Sequence, residues 1–246
     1  MSRMDESSLE KSKTWRQWRV TSYNPVADNW VEHCTGYIST QYAVSTGPVD
    51  NGIEATAEIS ASEKLRQDGL QRCTIPASIN YDNLDSIGLH FGPLFRNLSN
   101  IHVNKGKGEV TAEIAVPDVA KVMPKNFLHP HMIHPSTLDS MMHLFIAGVL
   151  DITGKSTLGT PMVPTFIKEV RVSAKVDSTP RHQFMGLGKS EMTGFQKFNS
   201  DITIWDGEDG TGEDCRQGMV RQVSWLRNLD CGPKEAVPHC RVEAGS

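Results

Sequence analysis

The chain lacks most of the features that place a protein quickly. Its 246 residues hold no run approaching the roughly 18 apolar residues that a membrane-spanning helix needs. The first residues, MSRMDESSLEKSK, are polar and mixed in charge, unlike a signal peptide. Lys plus Arg number 25 and Asp plus Glu 29, for a net charge of −4. No basic excess points to nucleic acid or to an anionic membrane. The five cysteines, Cys34, Cys73, Cys215, Cys231 and Cys240, are scattered and odd in number, with no C-x-x-C pair. That pattern predicts reduced thiols in the cytoplasm rather than a disulfide framework. There is no G-x-S-x-G, no phosphate loop and no dinucleotide fingerprint. Asn97–Ser99 fits the glycosylation pattern without a secretory signal to give it meaning. What remains is an ordinary globular composition, 38% hydrophobic and 22% charged, able to bury a sizeable core.

The strongest signal is HPSTLDSMMHLFIAGVL, residues 134–150. Leu138, Met141, Met142, Phe145 and Val149 make an apolar stripe, widened by Leu144, Ile146 and Leu150, so the spacing predicts one long, largely buried helix. Asp139 and His143 interrupt it. Four residues apart, they share a helix face and reach each other. A carboxyl in apolar surroundings tends to stay protonated, and a neutral carboxylic acid can donate a proton. An Asp–His pair on the helix's one exposed stripe accounts for the same residues without chemistry.

Strands are expected around this helix. WRQWRVTSY (15–23) and WVEHCTGYIST (30–40) read as two strands joined by a turn at NPVAD. GEVTAEIAV (108–116) alternates, with Val110, Ala112, Ile114 and Val116 on one face. KEVRVSAKV (168–176), SDITIWD (200–206) and GMVRQVSW (218–225) add three more, and YDNLDSIGL (81–89) reads as a short helix ending at Gly88. One apolar helix with antiparallel strands packs most simply as a curved sheet wrapped round the helix, an α+β fold. The expected organisation is 1–40 as a strand pair, 41–80 as a linker with a short helix near 61–67, 81–228 as the main unit, and 229–246 as a tail without structure. His129, His131 and His134 form H-x-H-x-x-H before the helix, which permits a metal-site reading. A stiff Pro-punctuated loop with satisfied histidines is the preferred reading, since no fourth ligand is evident.

Three motifs, taken in order, resemble those of the dehydratase domain of polyketide synthases, most closely the fungal highly reducing type. The family's G-Y-x-Y-G-P-x-F corresponds to Gly88-Leu89-His90-Phe91-Gly92-Pro93-Leu94-Phe95, with both tyrosines replaced. Its H-P-x-x-L-D, with Gln or His four residues after the Asp, corresponds to His134-Pro135-Ser136-Thr137-Leu138-Asp139 and His143. Its L-P-F-x-W region corresponds to Val163-Pro164-Thr165-Phe166-Ile167. The resemblance covers most of residues 15–228.

It implies a double hotdog, two halves that each wrap a long helix in an antiparallel sheet, of which residues 1–40 would be the end of the first half and 81–228 the second. The implied reaction removes water from a β-hydroxyacyl thioester on an acyl carrier protein, giving an α,β-unsaturated thioester. Asp139 would be the acid and His143 its orienter. Phe91, Gly92, Pro93, Phe95 and Pro164 would line the substrate. No metal or resident cofactor is implied, since the substrate arrives on phosphopantetheine. The partners implied are the carrier protein, the remaining synthase domains or a first hotdog half, and a second copy of the chain. The family's base, a histidine in H-x-x-x-G-x-x-x-x-P, is missing. His102 and His182 each have Gly four residues on, at Gly106 and Gly186, but Thr111 and Glu191 stand where the proline belongs. His33 lies in a strand where the family places no base. The expectation is an acid-bearing half that does not dehydrate alone. The competing expectation is a stand-alone hotdog that binds an acyl chain or guides cyclisation, like product-template domains.

Overall fold

The computed structural model describes residues 14–41, 72–156, 158–159, 161–174, 176–194, 197–206, 216–227 and 240–245. The helix expected near 61–67 lies outside them, as does most of the stretch read as a linker. The first hairpin is β1 (Arg16–Asn24) and β2 (Asn29–Gln41), joined at the turn the sequence marks. Asn24 closes that turn by accepting from the backbone N–H groups of Val26 (3.0 Å) and Ala27 (3.2 Å).

β3 (Arg72–Ile75) and α1 (Ala77–Ser86) occupy the last part of the expected linker. Pro76 separates them, its extended backbone (φ −57°, ψ 135°) ending the strand and opening the helix. β4 (Leu98–Asn104) and β5 (Glu109–Ala115) form a hairpin. Two helical segments, α2 (Pro135–Met142) and α3 (Leu144–Thr153), lead into β6 (Met162–Ser173), β7 (Gln183–Gly194), β8 (Lys197–Asp206), β9 (Arg216–Arg227) and β10 (Cys240–Gly245).

All of these strands join one sheet in the order β1-β2-β10-β6-β9-β8-β7-β5-β4-β3. Every pairing is antiparallel except those of β10, which runs parallel to both β2 and β6. Residues 240–245 therefore correct the expectation of a structureless tail. Lying between β2 and β6, they pair the backbone groups along both strands, which would otherwise be open edges.

The helices lie across β4, β5, β7 and β8, which gives the expected α+β arrangement of a sheet around a central helix. Leu144, Phe145, Ile146, Ala147 and Val149 are buried against Ile101, Val110, Ala112, Ile114, Phe184, Ile202 and Ile204. Each of the Val, Leu, Ile and Phe side chains contributes about 1.5–3 kcal/mol when fully buried. Close approach depends on small residues: a Cβ on Gly148 would sit 2.9 Å from the Gly108 carbonyl oxygen, and one on Gly186 2.7 Å from Leu144 Cδ1. The end of α3 is tied to the β4–β5 turn by Asp151, whose carboxylate accepts from the N–H groups of Gly106 (2.8 Å) and Gly108 (2.9 Å).

The expected single helix over 134–150 is two segments meeting at His143. There the bonds tighten to three-residue spacing, His143 N–H to Ser140 O (3.1 Å) and Ile146 N–H to His143 O (3.2 Å). The Ser140 hydroxyl competes nearby, lying 2.8 Å from the Ser136 carbonyl one turn back, a contact that bends helices. Among the described residues no helix is long and apolar enough to cross a membrane.

Candidate active site

The segment that carries Asp139 starts at His134. Its Nδ1 accepts from the Ser136 N–H (3.2 Å) and lies 2.7 Å from the Ser136 hydroxyl, capping α2, while Pro135 supplies a first residue that needs no N–H partner. Asp139 follows in the second turn of α2. Its Oδ2 is 3.1 Å from His143 Nε2, so the helical spacing does bring the pair together. The carboxylate lies off the N–H axis, and neither ring nitrogen of His143 makes a hydrogen bond.

Exposure separates the two side chains. The Asp139 side chain is 33% exposed and the His143 side chain 4%. Both His143 nitrogens are shut off from solvent, whereas the Asp139 side chain is open to it. The Phe91 ring packs against the imidazole at 4.3 Å between centroids, and Tyr81 meets it edge-on at 5.8 Å. These rings fix the imidazole beneath the carboxylate. Tyr81 was not legible as a site residue; its only signal is an aromatic in a short helix. Burial pushes its phenol up to about 12, keeping it neutral. Its hydroxyl accepts from the Leu98 N–H (3.2 Å) and lies 3.5 Å from the Phe95 carbonyl.

Gly92 through Phe95 form a tight turn, extended at Gly92 (φ −71°, ψ 168°) and 3-10 over Pro93–Phe95. Its carbonyls are spent in succession. Phe91 O accepts from Arg96 Nε (2.8 Å), Gly92 O from Phe95 N–H (2.9 Å) and Pro93 O from Arg96 N–H (3.4 Å). Leu94 O accepts from Asn97 Nδ2 (2.6 Å) and Phe95 O from the Ser140 hydroxyl (3.1 Å). The N–H groups of Gly92 and Leu94 have no acceptor among the described residues. A Cβ on Gly92 would meet nothing within 4 Å, so the backbone there faces open space. Arg96 also grips the Asp85 carboxylate through both oxygens (2.7 and 3.0 Å), holding that carboxyl below the usual range.

Pro164 is exposed at the start of β6, paired with Trp225 beside a bulge, and takes no part in these contacts. Of the three loop histidines, His131 and His134 meet edge-on at 5.2 Å between ring centroids, and each is engaged separately. His129 packs on Phe127 (4.8 Å), His131 gives Nδ1 to the His129 carbonyl (2.8 Å), and His134 caps α2. Among the described residues no group of three or more His, Cys, Asp or Glu side chains is arranged to hold a metal. Among the described residues the remaining histidines are engaged elsewhere: His33 with Ser22 (2.6 Å), His90 with Asp85 (3.2 Å), His102 with Thr74 (3.1 Å) and His182 with Asp177 (3.4 Å).

The His134 cap makes the site's stability depend on pH. Burial, and then the nearby His131, hold the His134 pKa below the ordinary histidine value. A folded value below the unfolded one of about 6.5 means the cap's contribution is complete above that pH and is lost as pH falls through the folded value. The thermal midpoint is expected to fall between pH 7 and pH 5. His134→Asn, which keeps a capping oxygen that does not titrate, should fall less over the same range. Equal losses in both proteins would show that the cap is not the titrating element.

A helix laid across an antiparallel sheet, carrying a solvent-reachable carboxylate 3.1 Å from a buried imidazole beside a Gly-Pro turn, defines a hotdog-type protein. A sequence model described as the polyketide synthase dehydratase N-terminal domain matches residues 61–224. The chain belongs to the polyketide synthase dehydratase family. It is 33% identical over 205 residues to the highly reducing polyketide synthase tazB of Aspergillus terreus, covering 82% of this chain and 8% of that one. It is 34% identical over 233 residues to the squalestatin tetraketide synthase of a Phoma species, covering 94% and 8%. The chain thus corresponds to a small segment of much larger synthases. Among solved structures, the dehydratase domain of RzxB from Pseudomonas fluorescens aligns with a TM-score of 0.56 at 13% identity, over 88% of this chain and 65% of that one. The dehydratase domain from the CurJ module of the curacin polyketide synthase aligns with a TM-score of 0.53 at 18% identity, over 88% and 65%. These establish the hotdog fold.

Proposed function

We propose that this chain is the acid-bearing second half of a dehydratase that removes water from β-hydroxyacyl thioesters. The substrate rides on the phosphopantetheine of an acyl carrier protein, so no resident cofactor is needed. A base takes the α-proton, Asp139 gives its proton to the β-hydroxyl, and water leaves to produce the α,β-unsaturated thioester. Hydroxide is a poor leaving group, which is why the acid matters. The observation that carries this reading is the division of exposure in the Asp139–His143 pair at 3.1 Å: an open carboxylate on a closed imidazole. His143 orients and does not touch substrate.

The Gly92 N–H group, without an acceptor among the described residues and beside open space, suits a thioester carbonyl, which it would polarise as the α-proton departs, with the Leu94 N–H as a second donor. Phe91, Pro93 and Phe95 form the wall on that side, with Pro164 as the contribution of β6. The base is a histidine supplied by a first hotdog half outside these residues. The setting is a cytoplasmic multidomain synthase, in which a second copy of the chain is a further candidate partner. The test is a dehydration assay with β-hydroxybutyryl carrier protein, run on this chain alone and with a histidine-bearing first half. Enoyl product is expected only in the second case and only with Asp139 intact. Product that survives Asp139→Asn would sink the assignment.

A further inference from the structure

One buried hydroxyl joins the helix that carries the acid to the turn beside it. Ser140 follows Asp139 directly and is fully buried. Its Oγ lies 3.1 Å from the Phe95 carbonyl and 2.8 Å from the Ser136 carbonyl, and it accepts from Asn97 Nδ2 at 2.9 Å. The same Asn97 amide donates to the Leu94 carbonyl at 2.6 Å, so both of its protons are used. The Asn97 backbone carbonyl accepts from the Ala115 N–H (3.0 Å), which anchors it at the end of β5. Sheet, turn and helix therefore meet at Ser140 Oγ.

We infer that Ser140 and Asn97 are positioning residues, which set the distance between the Gly92–Phe95 turn and the Asp139 carboxyl. This rests on the functional reading above, in which the turn receives the thioester carbonyl and Asp139 the β-hydroxyl. Those two substrate groups are separated by a fixed number of bonds, so the protein groups that meet them need a fixed separation too. Loss of Asn97 or of the Ser140 hydroxyl frees the Leu94 or Phe95 carbonyl and lets the turn drift from the helix. Neither side chain touches the substrate. The hydroxyl has one proton and two carbonyl acceptors, and Asn97 completes its coordination as a donor. The pair therefore acts as a unit: removing either partner removes the tie.

The test uses the full chain and β-hydroxybutyryl pantetheine thioester as probe, with binding followed by the amide resonances of Gly92 and Leu94. Asn97→Asp keeps the size of the side chain and removes both donors; Ser140→Ala removes the hydroxyl. Each is expected to weaken probe binding about tenfold, and the double variant no further, because the two act as one unit. Ser190→Ala is the stability control. Its hydroxyl pairs with Ser200 (2.8 Å) in the core away from the turn, so the variant should melt earlier and bind the probe as the parent does. Parent-like binding in Asn97→Asp, additive losses in the double variant, or an equal loss in Ser190→Ala would overturn the inference. If the parent chain itself fails to shift Gly92 and Leu94, the thioester site falls, and the tie with it. If the parent binds and only the variants fail to differ, the tie alone is wrong.

Discussion

Asp139→Asn is expected to reduce enoyl formation by about 10²–10⁴-fold when the chain is assayed with a histidine-bearing first half, the range a positioned general acid supplies. Asparagine matches the carboxyl in size and still hydrogen-bonds, but it has no acidic proton for the departing hydroxyl. The fall should appear in kcat more than in KM, because the lost interaction exists only as the C–O bond breaks. His143 behaves differently if it only orients. His143→Gln keeps a polar group below the carboxylate and is expected to hold activity within about tenfold, since its effect is indirect. His143→Leu removes that brace and should fall further while still exceeding Asp139→Asn. A His143→Gln variant as inactive as Asp139→Asn would show that the imidazole itself handles the proton.

Gly108→Ala is expected to be the most damaging single-methyl change in the fold. Gly108 has φ +65°, and a Cβ there would lie 2.4 Å from the Ser190 carbonyl oxygen and 2.7 Å from Ile152 Cγ2. Backbone cannot retreat as the tip of a side chain can. The same residue donates its N–H to Asp151 (2.9 Å) and accepts from the Ser190 N–H (2.8 Å), so any shift disturbs both the end of α3 and β7. Positive φ in a residue with a Cβ costs about 1–2 kcal/mol, and displacing the backbone raises the total to about 3–5 kcal/mol. That is a large part of the roughly 5–15 kcal/mol by which domains are stable, and lowers the melting midpoint by about 10 °C or more. Gly106→Ala is the matched control. Gly106 also has positive φ (+78°), but a Cβ there meets nothing within 4 Å, so only the strain applies. Equal melting of the two variants would mean that the hairpin moves away from α3 at little cost.

The same close packing explains what the sequence concealed. β5 was legible because Val110, Ala112, Ile114 and Val116 alternate, and all four are buried. β7 was not, because α3 lies so close to it that glycines stand where branched residues would mark a strand. A Cβ on Gly188 would be 3.1 Å from Leu144 Cβ. β4 escaped for another reason. Its register shifts between Ser99 and His102, so Leu98, Ile101 and Val103 are buried without a period of two. In the candidate site, the approach of Asp139 to His143 was visible because helical spacing is local. Tyr81, Asn97 and Ser140 were not, since they meet only once α1, the turn and α2 have packed. Ser140 looked like one more small polar residue on an apolar helix, yet it is wholly buried.

The most direct measurement is the dehydration of β-hydroxybutyryl carrier protein by the chain alone, followed as enoyl product, and then after addition of a histidine-bearing first half. An acid without its base predicts no product in the first reaction and Asp139-dependent product in the second. Enoyl product from the chain alone, lost on Asp139→Asn, would contradict it, because these residues would then contain both the acid and the base.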